Sequence, residues 1–360
     1  MLTFGIEEEY LLVDEVSGVP VPRAAEVLAA ADLLPALRPE EAQHELLQVQ
    51  VEVATPVCEE LAEAADHLVR LRDALGTAAR KAGCRIAPVG AAPFQGLMPV
   101  PVTDRARYRS ARADAPQLVD DLMLNGMHVH VGVPDRDSGI AVLNRLRPWL
   151  PVLVAMAANS PFWQGRETGF ASWRTIHFDR WPASGQPPAF RDAADYERRV
   201  RALQDTGLIR DRGALYWHAR LSERYPTIEV RAADVQLLPQ DAELFAALVR
   251  ALVATALADD RAGVPPLRPD EELLRAATWQ AAHNGLDGRL ASPNLPYARP
   301  AGSVVEELMA YAAPGLAAVG DTERVGELLE AFLAAGTGAR RQRLAWHRGG
   351  RAGLIDLLVG

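Results

Sequence analysis

Residues 123–133 read MLNGMHVHVGV. Alternation along an extended chain puts Gly126, His128, His130 and Gly132 on one face and Met127, Val129, Val131 and Val133 on the other. Pro134 and Asp135 close the strand. Other stretches divide the same way. In residues 3–13 (TFGIEEEYLLV), Gly5, Glu7, Glu9 and Leu11 oppose Phe4, Ile6, Tyr10 and Leu12, with Glu8 on the apolar side. In residues 44–54 (HELLQVQVEVA), Gln48, Gln50 and Glu52 oppose Leu47, Val49, Val51 and Val53. In residues 226–233 (PTIEVRAA), Thr227, Glu229 and Arg231 oppose Ile228, Val230 and Ala232. The pattern predicts a mainly antiparallel sheet with helices on its apolar face.

The polar face is not an ordinary wet surface. It carries Glu7, Glu9, Glu52, His128 and Glu229, all able to ligate metal, and Gly5, Gly126 and Gly132 leave room beside them. Carboxylates with one imidazole suit Mg²⁺ or Mn²⁺ better than a structural Zn²⁺. Converging carboxylates repel unless cations neutralise them, so two or more divalent ions are the natural complement. Such ions can hold a nucleotide's phosphates without lysine. Of the 38 basic residues only Lys81 is lysine, and it stands in Arg80-Lys81-Ala82-Gly83, away from any glycine-rich turn. That excludes a P-loop, a kinase strand lysine and a pyridoxal Schiff base.

The 360 residues are 49% apolar and 24% charged, an ordinary globular balance. A net charge of −9 gives no bulk attraction for nucleic acid or anionic membrane. Two cysteines exclude a disulfide scaffold; Cys58 and Cys84 read as reduced, buried small residues. No apolar run nears the roughly 18 residues of a membrane span. Glu7, Glu8 and Glu9 sit where a signal peptide's apolar core would begin, so the expectation is a soluble cytoplasmic chain.

Helices are expected over 59–82, over 138–158 with breaks at Pro148 and Pro151, and over 239–258, 270–284, 302–318, 321–335 and 351–358. A short strand is expected at 85–90. The irregular stretch 159–192 is long enough to include a lid or binding loop. The reading is one α+β domain over 1–360, with a motif-bearing part (1–237) and a helical part (238–360).

The ordered set Phe4-Gly5-Ile6-Glu7-Glu8-Glu9-Tyr10, Glu45…Gln50-Val51-Glu52, Asn125-Gly126-Met127-His128-Val129-His130-Val131-Gly132, Ala158-Asn159-Ser160-Pro161-Phe162, Thr168-Gly169-Phe170-Ala171-Ser172-Trp173-Arg174 and Ile228-Glu229-Val230-Arg231 resembles the type 2 glutamate–cysteine ligases. The resemblance runs from residue 3 to about 234. It implies a glutamine-synthetase-like fold and an ATP-dependent carboxylate–amine ligase, joining glutamate's γ-carboxylate to L-cysteine through an acyl phosphate. It implies Glu7, Glu9, Glu45, Glu52, His128 and Glu229 as metal ligands, and His130, Arg174, Arg220 and Arg231 as phosphate or carboxylate contacts. His130, Arg231 and Glu52 would face ATP with Mg²⁺ or Mn²⁺, and Arg231, Arg174 and Arg220 would serve the transfer. Small-molecule substrates and a homodimer complete what it implies.

Glu45 and Glu52, seven apart, would face opposite ways on an unbroken strand. Either Glu45 precedes the strand or a bulge re-aims it. Gly90-Ala91-Ala92-Pro93 replaces the family's usual Gly-Thr-His-Pro, and Trp217-His218-Ala219-Arg220 has His218 where relatives usually have Asp. These changes bear on the identity of both substrates. Glu8 is expected to pair with a buried arginine. Arg174 could be a site residue or a surface residue of a lid hinged near Gly165, Gly169 and Gly185. The competing functions are a metal-dependent amide hydrolase and a non-catalytic nucleotide or metabolite binder.

Overall fold

The alternating stretches meet side by side. In a computed structural model describing residues 2–38, 40–295 and 297–360, the sheet contains β1 (Phe4–Val13), β2 (Ala42–His44), β3 (Gln50–Ala54), β4 (Arg85–Ala87), β5 (Gly126–Gly132), β6 (Ala219–Leu221) and β7 (Thr227–Asp234). Their order is β6-β7-β5-β1-β3-β2, every pairing is antiparallel, and β4 pairs with the far end of β1. The central neighbours come from distant parts of the chain, with β1 between β5 and β3, whereas β2–β3 and β6–β7 are consecutive pairs.

The apolar faces form the core. Phe4, Ile6, Met127, Val129, Val131, Ile228 and Val230 are buried against the helices Leu61–Lys81, Arg136–Leu146 and Pro239–Arg261. Farther along, Tyr10, Leu12, Val51 and Val53 pack on Leu71, Leu75 and Ala78 of the first of these helices. Each such side chain contributes about 1.5–3 kcal/mol on burial, so the register that puts valines inward also fixes which side chains face outward. Glu8, 1% exposed on the apolar face, pairs with Arg72 and accepts a 2.5 Å hydrogen bond from the Tyr10 hydroxyl. The expected buried arginine pair is present.

Some local readings are corrected. The run 44–54 is not one strand: residues 45–49 turn the chain between β2 and β3, which pair with each other. Leu47 and Val49 are still buried, in a second cluster with Val89, Phe94 and Val100. Apolar alternation persisted through the turn because both sides of it bury side chains. Residues 136–156 form two helices, Arg136–Leu146 and Leu150–Met156; Pro151 lies in the first turn of the second, where proline is tolerated, and breaks nothing. The segment Gly338–Val359 is helical on both sides of a kink at Gly350 (φ 57°): the expected helix at 351–358 is present, and the helical stretch before it is new. Its arginine-rich first half conceals a narrow inner face, Ala339 and Gln342, with Gln342 Nε2 donating to the Asn159 carbonyl at 2.8 Å. The helices Ala24–Ala31, Ala106–Asp114 and Ala193–Asp205 were not anticipated. The other helices of the C-terminal part, Glu271–Asn284, Ala301–Val319 and Thr322–Ala335, lie where expected. Among the described residues, no helix is long and apolar enough to cross a membrane.

Candidate active site

Register turns the polar faces into rungs. Arg220 lies opposite Glu229, Glu229 opposite His130 and His130 opposite Gly5. Beside this row, His128 faces Glu7. Next, Glu9 faces Glu52. Cross-strand neighbours stand close enough for their side chains to meet, and here they do. His128 Nδ1 is 3.1 Å from Glu7 Oε2, and His128 Nε2 is 3.7 Å from Glu9 Oε1. His130 Nε2 is 3.4 Å from Glu7 Oε1 and 4.0 Å from Glu229 Oε1. Candidate ligand atoms gather within 4.8 Å of one another in the sets Glu7–Glu52–His128, Glu7–His130–Glu229 and Glu9–Glu45–Glu52.

Glu45 reaches this cluster from the turn that precedes β3, which settles the parity question in favour of a position outside the strand. Its carboxylate accepts a 2.7 Å bond from the Leu46 N–H, and Thr103 Oγ1 donates to its carbonyl at 2.6 Å. All six carboxylate and imidazole groups implied as metal ligands are therefore brought together.

The electrostatics divide the cluster. Burial and the charges of Glu7, Glu45 and Glu9 push the Glu52 carboxyl well above its ordinary range. Burial and Glu45 raise Glu9 to about 7, against the opposing pull of Arg174, the Gly126 N–H and Arg231. Burial also raises Glu45. Glu7 goes the other way: burial pushes it up, but the neighbouring His128 and His130 rings outweigh this and hold it well below the usual value. Burial and the Arg231 guanidinium press His128 down to about 4, leaving the neutral ring that can ligate a metal. His128 Nε2 and His130 Nε2 are buried without a hydrogen-bond partner among the described residues. Two orphaned ring nitrogens among mutually repelling carboxylates fit divalent cations.

The arginines differ in availability. Arg220 holds both oxygens of Glu229, at 2.8 and 3.1 Å, and spends its remaining donors on the carbonyls of Arg212, Gly213 and Leu215. Arg231 also pairs with Glu229 and lies 3.3 Å from His128 Nδ1. With two guanidiniums beside it, Glu229 is held far below the ordinary carboxylate value despite burial. Arg174 is 5% exposed, not a surface lid residue. It lies in the first turn of the helix Trp173–Phe178, whose start is anchored: Ser172 Oγ and Ser160 Oγ both donate to Asp234, and the Arg174 N–H donates to Ser160 Oγ. A Cβ at Gly126 would collide with Arg174 Nη2 and stand 3.2 Å from His128 Nε2, so the glycine makes room for the guanidinium against the cluster.

Other groups stand at the rim, and of these the sequence had marked only His218, as a departure from the family's usual Asp. Arg107 and Tyr108, on the unburied helix Ala106–Asp114, are close enough to act on or feel Glu45. Tyr225 sets its ring edge-on to His130, centroids 6.2 Å apart. Asp179 and His218 stand near Arg174, whose charge acts on both. No alternating pattern marks residues of turns and of an unburied helix such as these. Ala91 and Ala92 are buried in the apolar cluster with Met123 and Leu124, so that departure reads as core packing. A separate cavity of about 400 Å³, lined by Trp149, Tyr311 and Pro265, shares no residue with the cluster.

The model of glutamate–cysteine ligase family 2 matches residues 3–359. The chain belongs to that family. A protein of Salinispora tropica named "Putative glutamate--cysteine ligase 2" is 44% identical over 349 residues, covering 97% of this chain and 91% of the relative. A Mycolicibacterium vanbaalenii relative is also 44% identical over 349 residues, covering 96% and 93%. Two solved structures share the fold at low identity. A glutamate–cysteine ligase of Francisella tularensis, solved in complex with AMP, has TM-score 0.65 and 13% identity, covering 99% of this chain and 87% of that one. A bifunctional glutathione synthetase of Pasteurella multocida has TM-score 0.67 and 17% identity. This chain spans about half of the Pasteurella protein, 51% of its length. The fold implied by the sequence motifs is the one found, and the family supports a carboxylate–amine ligase of the glutamate–cysteine ligase type.

Proposed function

We propose that the protein is an ATP-dependent ligase that joins the γ-carboxylate of glutamate to the amino group of L-cysteine through an acyl phosphate. One observation carries the reading: acidic and imidazole side chains from separate strands converge on one buried face, where several carboxylates repel one another and His128 Nε2 and His130 Nε2 lack partners. Glu7, Glu9, Glu45, Glu52, His128 and Glu229 would hold Mg²⁺ or Mn²⁺. Bound there, the cations supply the positive charge that orients ATP's phosphates and offsets charge in phosphoryl transfer.

The chain's own residues do the rest. A carboxylate does not accept an amine because oxide is a poor leaving group; phosphorylation replaces it with phosphate. Arg231, beside Glu229 and His128, is placed to meet phosphate oxygens, and His130 presents a ring edge to the same space. Arg174 presents a buried guanidinium to the acyl group. Arg220 acts by fixing Glu229 rather than by touching substrate. The irregular segment 163–192, with positive φ at Gly165, Gly169 and Gly185, would exclude water from the acyl phosphate. Mg²⁺-ATP as cofactor and a homodimer belong to the same proposal.

The test is ADP release with Mg²⁺-ATP, L-glutamate and a panel of amines that includes L-cysteine, followed by mass analysis of the product. The expected product is the γ-glutamyl amide of L-cysteine. The reading fails if no amine raises ADP release and ATP does not bind in the presence of Mg²⁺.

A further inference from the structure

The Arg174 guanidinium is almost wholly buried, yet among the described residues its side chain makes one hydrogen bond, 3.4 Å long, to the Arg231 carbonyl, and its Nε has no partner. A guanidinium carries five N–H donors. Buried donors left unused are rare in native proteins, and each calls for an explanation. The nearest carboxylate, Asp234, is 4.0 Å away and is already occupied: it accepts from the Asn159 N–H at 2.8 Å, Ser160 Oγ at 2.6 Å and Ser172 Oγ at 2.9 Å.

Asp179, the C-terminal cap of the helix that carries Arg174 in its first turn, is the complementary case. Its side chain is 41% exposed, and the group paired with it among the described residues is the His218 ring, with Nε2 at 3.9 Å from Asp179 Oδ1. That ring does not supply a cation. Burial and the charge of Arg174 press it down to about 3, so it is neutral. Its Nδ1 is buried without a partner. The His218 backbone is pinned on both sides: its N–H donates to the Gly185 carbonyl and its carbonyl accepts from the Arg231 N–H, each at 2.7 Å. At Gly185, with φ 74°, a Cβ would stand 3.0 Å from Asp179 Oδ1, so the loop leaves little more than a hydrogen's room there. Partial burial, opposed by Arg174, pushes the Asp179 carboxyl upward, and it remains ionised at neutral pH.

Arg174 and Asp179, neither of which has an oppositely charged partner within hydrogen-bond distance among the described residues, form a receptor for two opposite charges. A ligation brings both, an acyl phosphate and an ammonium. We propose that Asp179, backed by His218, receives the ammonium group of the second substrate and accepts a proton from it, which selects a primary amine that arrives protonated. One N–H bond of the ammonium breaks and its proton passes to an Asp179 oxygen. The freed nitrogen lone pair forms the bond to the acyl carbon. The carbon–oxygen bond to phosphate breaks, and phosphate leaves with that electron pair and takes the second proton from nitrogen. Asp179 is then a catalytic residue and His218 a positioning one. The assignment rests on the ligase reading above.

The test compares wild type with Asp179→Asn, His218→Phe and His218→Asn in ADP release from Mg²⁺-ATP and L-glutamate. The nucleophile is L-cysteine or hydroxylamine, which is largely unprotonated at neutral pH and needs no ammonium receptor. Asp179→Asn should lower kcat/KM for L-cysteine about tenfold or more while changing the KM for ATP less than about twofold. Its loss with hydroxylamine, read as hydroxamate, should be about fivefold smaller or less. His218→Phe should raise the KM for L-cysteine more than it lowers kcat, and His218→Asn should recover part of that. Equal losses with both nucleophiles, or no loss with either, overturn the assignment while the ligase reading stands. A wild-type enzyme that forms neither hydroxamate nor ADP fails the ligase reading itself, and the assignment with it.

Discussion

Glu8 and Glu9 are adjacent on β1 and enter opposite faces of the sheet. Glu8 goes into the apolar core with Arg72 on its oxygens and the Tyr10 hydroxyl at 2.5 Å. Arg72 in turn donates to the carbonyls of Gln236 and Leu237, at 2.9 and 3.2 Å, so every charge there has a partner. Glu9 goes onto the polar face, where it accepts a 2.5 Å bond from the Gly126 N–H but stands among Glu45 and Glu52. Both carboxylates are largely removed from water. The partner decides the outcome: a carboxylate with its own guanidinium ties elements together, whereas one set against other carboxylates makes a place for a cation.

The contrast can be broken most forcefully on the apolar side. Arg72→Ala leaves Glu8 buried and unpaired and should cost about 3–5 kcal/mol, read by urea unfolding. A loss under about 1 kcal/mol would mean that Glu8 is not held as an ion pair.

On the polar side the same kind of change should spare the fold and remove the chemistry. Glu52→Gln should lower ligase turnover by about a hundredfold or more, roughly 2.7 kcal/mol, while unfolding stability stays within about 1–2 kcal/mol. Wild-type turnover would remove Glu52 from the site.

The pH response should show the difference in stability alone. Glu9 is raised from 4.5 to about 7 in the fold. Its contribution is therefore full below about 4.5 and is lost as pH rises through 7. A cation that binds the ionised cluster offsets that loss. Millimolar MgCl₂ should then raise the thermal midpoint more at pH 8 than at pH 5.5, by the equivalent of up to about 2–3 kcal/mol when the cation saturates the site. An equal shift at both pH values would argue against cation binding by these carboxylates.

The smallest effect concerns the boundary between the site's cations. Gly126→Ala would press a methyl group on Arg174 Nη2, the far end of a flexible side chain. Stability should fall by about 1 kcal/mol or less and kcat/KM by about tenfold, read in the same two assays. Unchanged kinetics would place Arg174 away from the reacting groups.

Strand faces were legible because a period of two is written directly in the chain: Val129 and Val131 inward force His128 and His130 outward. The same logic put Glu8 inside and called for its arginine, though nothing in the chain named Arg72, 64 positions away. It failed at 45–49, where a turn buried on both sides kept the look of a strand, and along 338–349, where arginines mask a narrow inner face.

What the sequence alone determined is the set of polar faces, the lysine-poor chemistry and, through ordered motifs, the family. Only the tertiary structure decided that Glu45 joins the cluster from a turn, that Arg220 is consumed by Glu229 while Arg174 is left with unused donors, and that Asp179 and His218 stand beside it. The physical reason is range. Alternation is a property of neighbouring residues, whereas the partner of a buried charge is set by which distant segments the fold brings within hydrogen-bond reach, and no local pattern encodes that.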